Sequence, residues 1–141
     1  MSEKNYWEEG YAHMVRMMGP EFAKTMEANA NSGRFAADVG RMAVEFAFGA
    51  VWSRPGLELK HRSAVVIGAL IASRQPDELR NHLRFGLNNG LSVQEIEEII
   101  IQTLPYVGFP AVSSALGVAI EVLRERGLDG GTRTASESGL L

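Results

Sequence analysis

The stretch from Glu78 to Pro110, ELRNHLRFGLNNGLSVQEIEEIIIQTLPYVGFP, constrains this chain more than any other. Its first part has the apolar spacing of a helix and stops at Gly90, a residue that ends helices by entering the left-handed region. Ser92 and Glu95 then stand in the register of a capping box, in which hydroxyl and carboxylate satisfy two orphan backbone N–H groups of a new helix. Ile96, Ile99, Ile100 and Thr103 follow at helical spacing, with Gln94, Glu95, Glu97 and Glu98 on the outer side. Helix, short turn and capped helix in mid-chain point to an all-α fold.

The remaining punctuation agrees. Tyr6–Met18 carries apolar residues at helical spacing and meets the breaker Gly19-Pro20. A short helix over Glu21–Ala30 ends at Asn31-Ser32-Gly33. Another runs from Phe35 to about Val51, with Phe35, Val39, Met42, Phe46 and Phe48 as its large apolar groups, until Ser53-Arg54-Pro55-Gly56 interrupts it. Leu59–Ser73 is apolar nearly all round, which predicts burial on every face. Pro76 suits the first turn of a helix over Asp77–Asn89. Pro105–Pro110 reads as a turn, and a last helix runs to Arg126 before Gly127, with Ala111, Ala115 and Ala119 forming a small-residue face. The expectation is a compact all-α domain of about six to seven helices over residues 1–127. Residues 128–141, rich in Gly, Ser and Thr, read as a disordered tail. The small residues Ala64, Gly68, Ala69 and Ala72 in the apolar centre suit a close helix interface and point to self-association; a well-buried central helix in a monomer has the same pattern.

Composition narrows the function. At 141 residues, with 45% apolar and 22% charged, the chain has an ordinary globular make-up. Its net charge of -3 and lack of a basic stripe give no footprint for nucleic acid. No apolar run is long enough to span a bilayer, and the polar, acidic first ten residues do not read as a secretory signal. There is no cysteine, which excludes disulfides, thiolate metal sites and a cysteine nucleophile and is compatible with the cytoplasm. His13, His61 and His82 lack metal-ligand spacing, HExxH is absent, and no phosphate-cradling glycine loop occurs. No metal site is expected.

Glu78 and His82 sit four apart on one helix, so their side chains share a face. A carboxylate beside an imidazole fixes its tautomer and raises its basicity, which suits proton transfer; a solvated surface pair has the same spacing. Arg54, in the breaker between two helices, and Arg62, at the start of the apolar helix, can each grip a carboxylate through the planar guanidinium. Trp52 and Tyr106 can wall a pocket or fill a core.

The order of several segments resembles the carboxymuconolactone decarboxylase family. They run Phe48-Gly49-Ala50-Val51-Trp52-Ser53-Arg54-Pro55-Gly56-Leu57, Lys60-His61-Arg62-Ser63, and Glu78-Leu79-Arg80-Asn81-His82. Gly86-Leu87-Asn88-Asn89-Gly90-Leu91-Ser92, Glu95-Ile96 and Tyr106-Val107-Gly108-Phe109-Pro110-Ala111 complete the series. Together they cover about Phe46 to Gly127. The resemblance implies an alkylhydroperoxidase D-like helical fold, no cofactor, and a ring-shaped homo-oligomer, trimer or hexamer. The peroxidase branch of that family carries CxxCxxxH. With His82 on its histidine, the cysteine positions fall at Gln75 and Glu78, so thiol peroxidase chemistry is excluded.

The decarboxylase branch remains, with a namesake reaction in aromatic compound catabolism that turns 4-carboxymuconolactone into an enol-lactone of 3-oxoadipate. Loss of CO2 pushes electrons through the ring double bond onto the lactone carbonyl, so the enzyme must orient a carboxylate, stabilise an oxyanion and protonate carbon. The resemblance implies His82 as proton donor or oxyanion partner, Glu78 as its orienter, Arg54 or Arg62 on a substrate carboxylate, and Trp52 and Tyr106 shaping the pocket. Close decarboxylases read YxGxPAAN where this chain has Val112 and Ser113, so Ser113 stands where an amide would meet substrate. Met14, Met17, Met18 and Met26 can reshape a pocket entrance. A small carboxylated lactone or related keto acid is the expected substrate. Another lyase, isomerase or hydrolase on the same scaffold, or a non-catalytic oligomeric binding module, stays open.

Overall fold

A computed structural model describes residues 3–141, and among these the regular structure is entirely helical. The chain divides into two compact units, Met1–Leu59 and Lys60–Leu141.

In the first unit, α1 (Tyr6–Met18) is opened by Asn5, whose side-chain oxygen accepts from the Glu8 N–H, and closed by Gly19. α2 (Pro20–Ala30) starts on its proline, where the missing N–H costs nothing. α3 (Ala37–Met42) passes without a break into a π-helical segment, Ala43–Trp52. Ten residues of π-helix are unusual, since such turns mostly occur singly. α1 crosses this segment at two glycines: a methyl on Gly10 would collide with the Val44 carbonyl oxygen, and one on Gly49 with that of Tyr6. Backbone therefore lies on backbone at the crossing. Met14, Met17, Ala23 and Val44 are fully buried around it, so two of the methionines read as pocket-entrance groups are core.

The expected face of the third helix differs from the observed one. Phe35 is fully exposed and precedes the helix, because Ala36 sits at φ 60° and the helix begins only at Ala37. Val39, Met42 and Phe46 are mostly exposed as well, while Val44, Phe48, Gly49 and Trp52 point inward.

The second unit packs α4 (Leu59–Ala72), α5 (Pro76–Asn88), α6 (Val93–Val107) and α7 (Phe109–Glu125) around one core of Ile67, Ile71, Leu79, Leu83, Ile96, Ile100 and the inner face of α7. The predicted capping box forms: Ser92 Oγ accepts from the Glu95 N–H at 3.0 Å, and the Glu95 carboxylate accepts from the Ser92 N–H at 3.1 Å. Its other oxygen takes Lys60 Nζ at 3.0 Å, tying the start of α6 to the start of α4. Arg84 forks onto Glu125, and Arg80 pairs with Glu121 and Asp77, lacing α5 to α7. Such exposed pairs fix register more than they stabilise, at about 0–1 kcal/mol each.

Two readings of this unit need correction. α4 is not buried on every face; only Ser63, Ile67 and Ile71 are buried, and Val65, Ala69 and Ala72 are exposed. The turn expected over Pro105–Pro110 shrinks to Gly108 at φ 87°: Pro105 lies inside the last turn of α6, and Pro110 lies in the first turn of α7. A proline so near a helix end interrupts few backbone bonds. After α7, residues 128–141 form successive turns, in which Arg124 grips the Glu137 carboxylate at 2.5–2.6 Å and donates to the Thr132 carbonyl.

Candidate active site

α5 carries a histidine whose protonation is strongly perturbed by burial. His82 lies mid-helix on a stripe with Phe85, Gly86 and Asn89, three, four and seven positions on. That stripe faces α4. A methyl on Gly86 would press on Ile67 and Ser63, and Asn89 Nδ2 donates to the fully buried Ser63 Oγ at 2.9 Å. Phe85 meets the imidazole edge-on, with ring centroids 5.1 Å apart. Burial among these apolar groups pushes the His82 pKa down to about 4. The ring is therefore neutral near pH 7. The shift runs opposite to the one expected from a neighbouring carboxylate, because desolvation disfavours the imidazolium.

The other candidates are spread over the chain. Glu78, one turn before His82, is exposed. Arg62 is half-buried in the first turn of α4, directly before Ser63. Tyr106, at the end of α6, is 82% exposed. Ser113 lines a groove between α6, α7 and the C-terminal turns, to which neither His82 nor Arg62 contributes. In the first unit, Trp52 is buried and stacked on Phe48 at 6.2 Å, which makes it a core residue there, and Arg54 is exposed in the loop that follows. Among the described residues no three His, Asp or Glu side chains cluster as metal ligands. The Ser63–Asn89 pair was missed in the sequence. A lone serine inside the apolar run Ser63–Ala72 was its one available signal.

The sequence profile of the carboxymuconolactone decarboxylase family matches residues 37–121, more than half of the chain. The chain belongs to the carboxymuconolactone decarboxylase family. It is 35% identical to a 4-carboxymuconolactone decarboxylase of Acinetobacter baylyi over 128 residues, which cover 91% of this chain and 94% of the relative. It is also 30% identical to a nitrosuccinic acid decarboxylase of Metarhizium robertsii, over 86% of this chain and 84% of that protein. The matched region contains α5 with His82, and the all-helical architecture is the one the family resemblance implies. No helix among the described residues is long and apolar enough to cross a membrane.

Proposed function

We propose that this protein is a cofactor-independent decarboxylase of a small carboxylated lactone or related keto acid, with His82 as the group that meets the developing oxyanion. The observation that carries the reading is the near full-length match to a 4-carboxymuconolactone decarboxylase. The second relative's substrate, nitrosuccinic acid, shares one chemical property with 4-carboxymuconolactone. In each, the electrons released with CO2 have an acceptor, a lactone carbonyl through a double bond or a nitro group. An oxyanion develops either way, and the catalyst's task is to stabilise it and deliver one proton to carbon.

A neutral, half-buried imidazole suits that task. Its N–H donates to an oxyanion without first surrendering a proton, and the apolar surroundings that keep it neutral also strengthen the hydrogen bond. The C–CO2 bond breaks, its electron pair moves onto the acceptor oxygen, and carbon then takes one proton, replaced from water. Arg62, in the helix packed against the His82 face of α5, is the assigned partner of the substrate carboxylate. Glu78 is assigned as the residue that orients His82 from the next turn, and Tyr106 as a pocket wall completed on assembly.

Assembly belongs to the same reading. A homo-oligomer, trimer or hexamer, is supported by the exposed apolar groups Phe35, Val39, Met42 and Phe46 and by Val65 on α4. A cytoplasmic location is supported by a chain free of cysteine.

CO2 release from 4-carboxymuconolactone is the test. Turnover is expected, with kcat/KM falling about 10²–10⁴-fold in His82→Ala at unchanged oligomer size. No release from this lactone or from a related keto acid overturns the substrate class. Undiminished turnover in His82→Ala overturns the role of the imidazole alone.

A further inference from the structure

A cavity to which His82 does not contribute lies in the second unit between α6, α7 and the C-terminal turns. Its volume is about 720 Å³, within the range of sites that enclose small molecules. The walls contributed by the helices are largely aliphatic, with Ile100 from α6 and Leu116, Ile120 and Leu123 from α7 beside Glu97, Ser113 and Ser114. At the same place α7 carries Gly117, where an added methyl would meet nothing within 4 Å. A glycine in mid-helix sacrifices stability relative to alanine. Here it leaves a gap in the wall that any side chain would partly fill.

The charges around the cavity indicate what it takes. Glu97 and Asp129 line it as acids and Arg133 as a base, so an anion faces two carboxylates and a cation faces a guanidinium. Asp129 is paired with Arg124 at 3.7 Å, and Arg133 donates to the Glu137 carbonyl. Neither sign of ligand charge is favoured. Hydroxyls of Ser113, Ser114, Ser136 and Ser138, with Thr132 and Thr134, also line it and can bond a neutral polar group.

We infer that the α6–α7 cavity is a binding site for an uncharged, largely hydrocarbon molecule carrying one polar group, such as an alcohol, ketone or lactone, seated over Gly117. Of the groups named for the decarboxylase reaction only Ser113 lines it; His82, Glu78, Arg62 and Tyr106 do not, so probe binding is read apart from turnover. The C-terminal turns form its outer wall, held by the Arg124–Glu137 fork.

Fluorescence titration of the full chain with N-phenyl-1-naphthylamine, an uncharged apolar probe, tests this. Saturable binding at one probe per chain is expected. 1-Decanol should displace the probe at a concentration at least tenfold below that of decanoate or decyltrimethylammonium. Gly117→Leu, which fills the gap, and Leu116→Gln, which puts an amide into the wall, should each weaken binding at least tenfold with helical circular dichroism retained. Ile101→Gln, on the exposed side of α6, should leave binding unchanged. The inference is overturned by absent or non-saturable binding, by full binding in Gly117→Leu, by loss of binding in Ile101→Gln, or by either ion competing as well as the alcohol.

Discussion

Gly10 and Gly117 are the same residue in the same kind of element, each inside a helix, yet the surroundings make them opposites. At Gly10 a single methyl would run into the Val44 carbonyl oxygen and approach the Gly49 nitrogen. At Gly117 it would meet empty space. One glycine is the condition for two backbones to touch; the other is a gap. The difference teaches that a helical glycine states a local weakness in the helix and says nothing of what lies opposite. The opposite element decides whether that weakness is structural or free for binding.

The sharpest way to break this contrast is Gly10→Ala. The obstructing atoms are backbone and cannot rotate away, so the π segment must shift as a body. A loss of about 3 kcal/mol or more is expected, read as a fall in thermal midpoint of roughly 10 °C. A midpoint within about 2 °C of the parent, on the same conversion, would show that α1 and the π segment separate easily.

His82 extends the comparison from space to charge, since its burial, with Phe85 edge-on to the ring, disfavours an imidazolium. Burial holds it at about 4, below the ordinary 6.5. The unfolded chain takes up a proton near 6.5 and the folded chain only near 4. Stability is therefore full above the ordinary value, and falls as pH drops through the window between the two. The loss from pH 7 to 4 should be on the order of 2–3 kcal/mol greater in the parent than in His82→Gln, followed by urea midpoints across pH. Parallel curves for the two proteins would place His82 in water.

Ser92→Ala is a smaller break, at a site where local chemistry alone sets the outcome. It removes one partner of the reciprocal cap on α6, and about 1 kcal/mol is expected in denaturant unfolding. This was the element most legible in the sequence, because both partners of the cap lie within four residues of one segment and need no third element. The same holds for the ends at Gly19 and Gly90, and the position of His82 on a helix followed from the same signals. What was not legible depends on packing partners. The side of α3 that is buried, the π register and the exposure of Val65 are set by what each helix meets. An apolar stripe such as Phe35, Val39, Met42 and Phe46 reads alike whether it faces its own core or another surface. The direction of the His82 shift was misjudged for a related reason. Spacing revealed Glu78, a carboxylate one turn away, but not the burial, with Phe85 edge-on, that desolvates the ring.

The smallest expected effect has the opposite sign. Gly117→Ala adds a methyl into open space on a helix whose backbone there is not strained, and replaces the residue with the greatest unfolded-state freedom. It should therefore stabilise the protein by about 0.8–1 kcal/mol, the difference in helix propensity. The same change takes little volume from a cavity of about 720 Å³, so the naphthylamine probe should still bind. The pair of measurements separates two accounts of the gap. A gain in stability with binding retained fits an open cavity floor. A loss of stability means that some surface closes over Gly117 in solution, as tightly as the π segment closes over Gly10, and removes the contrast between the two glycines.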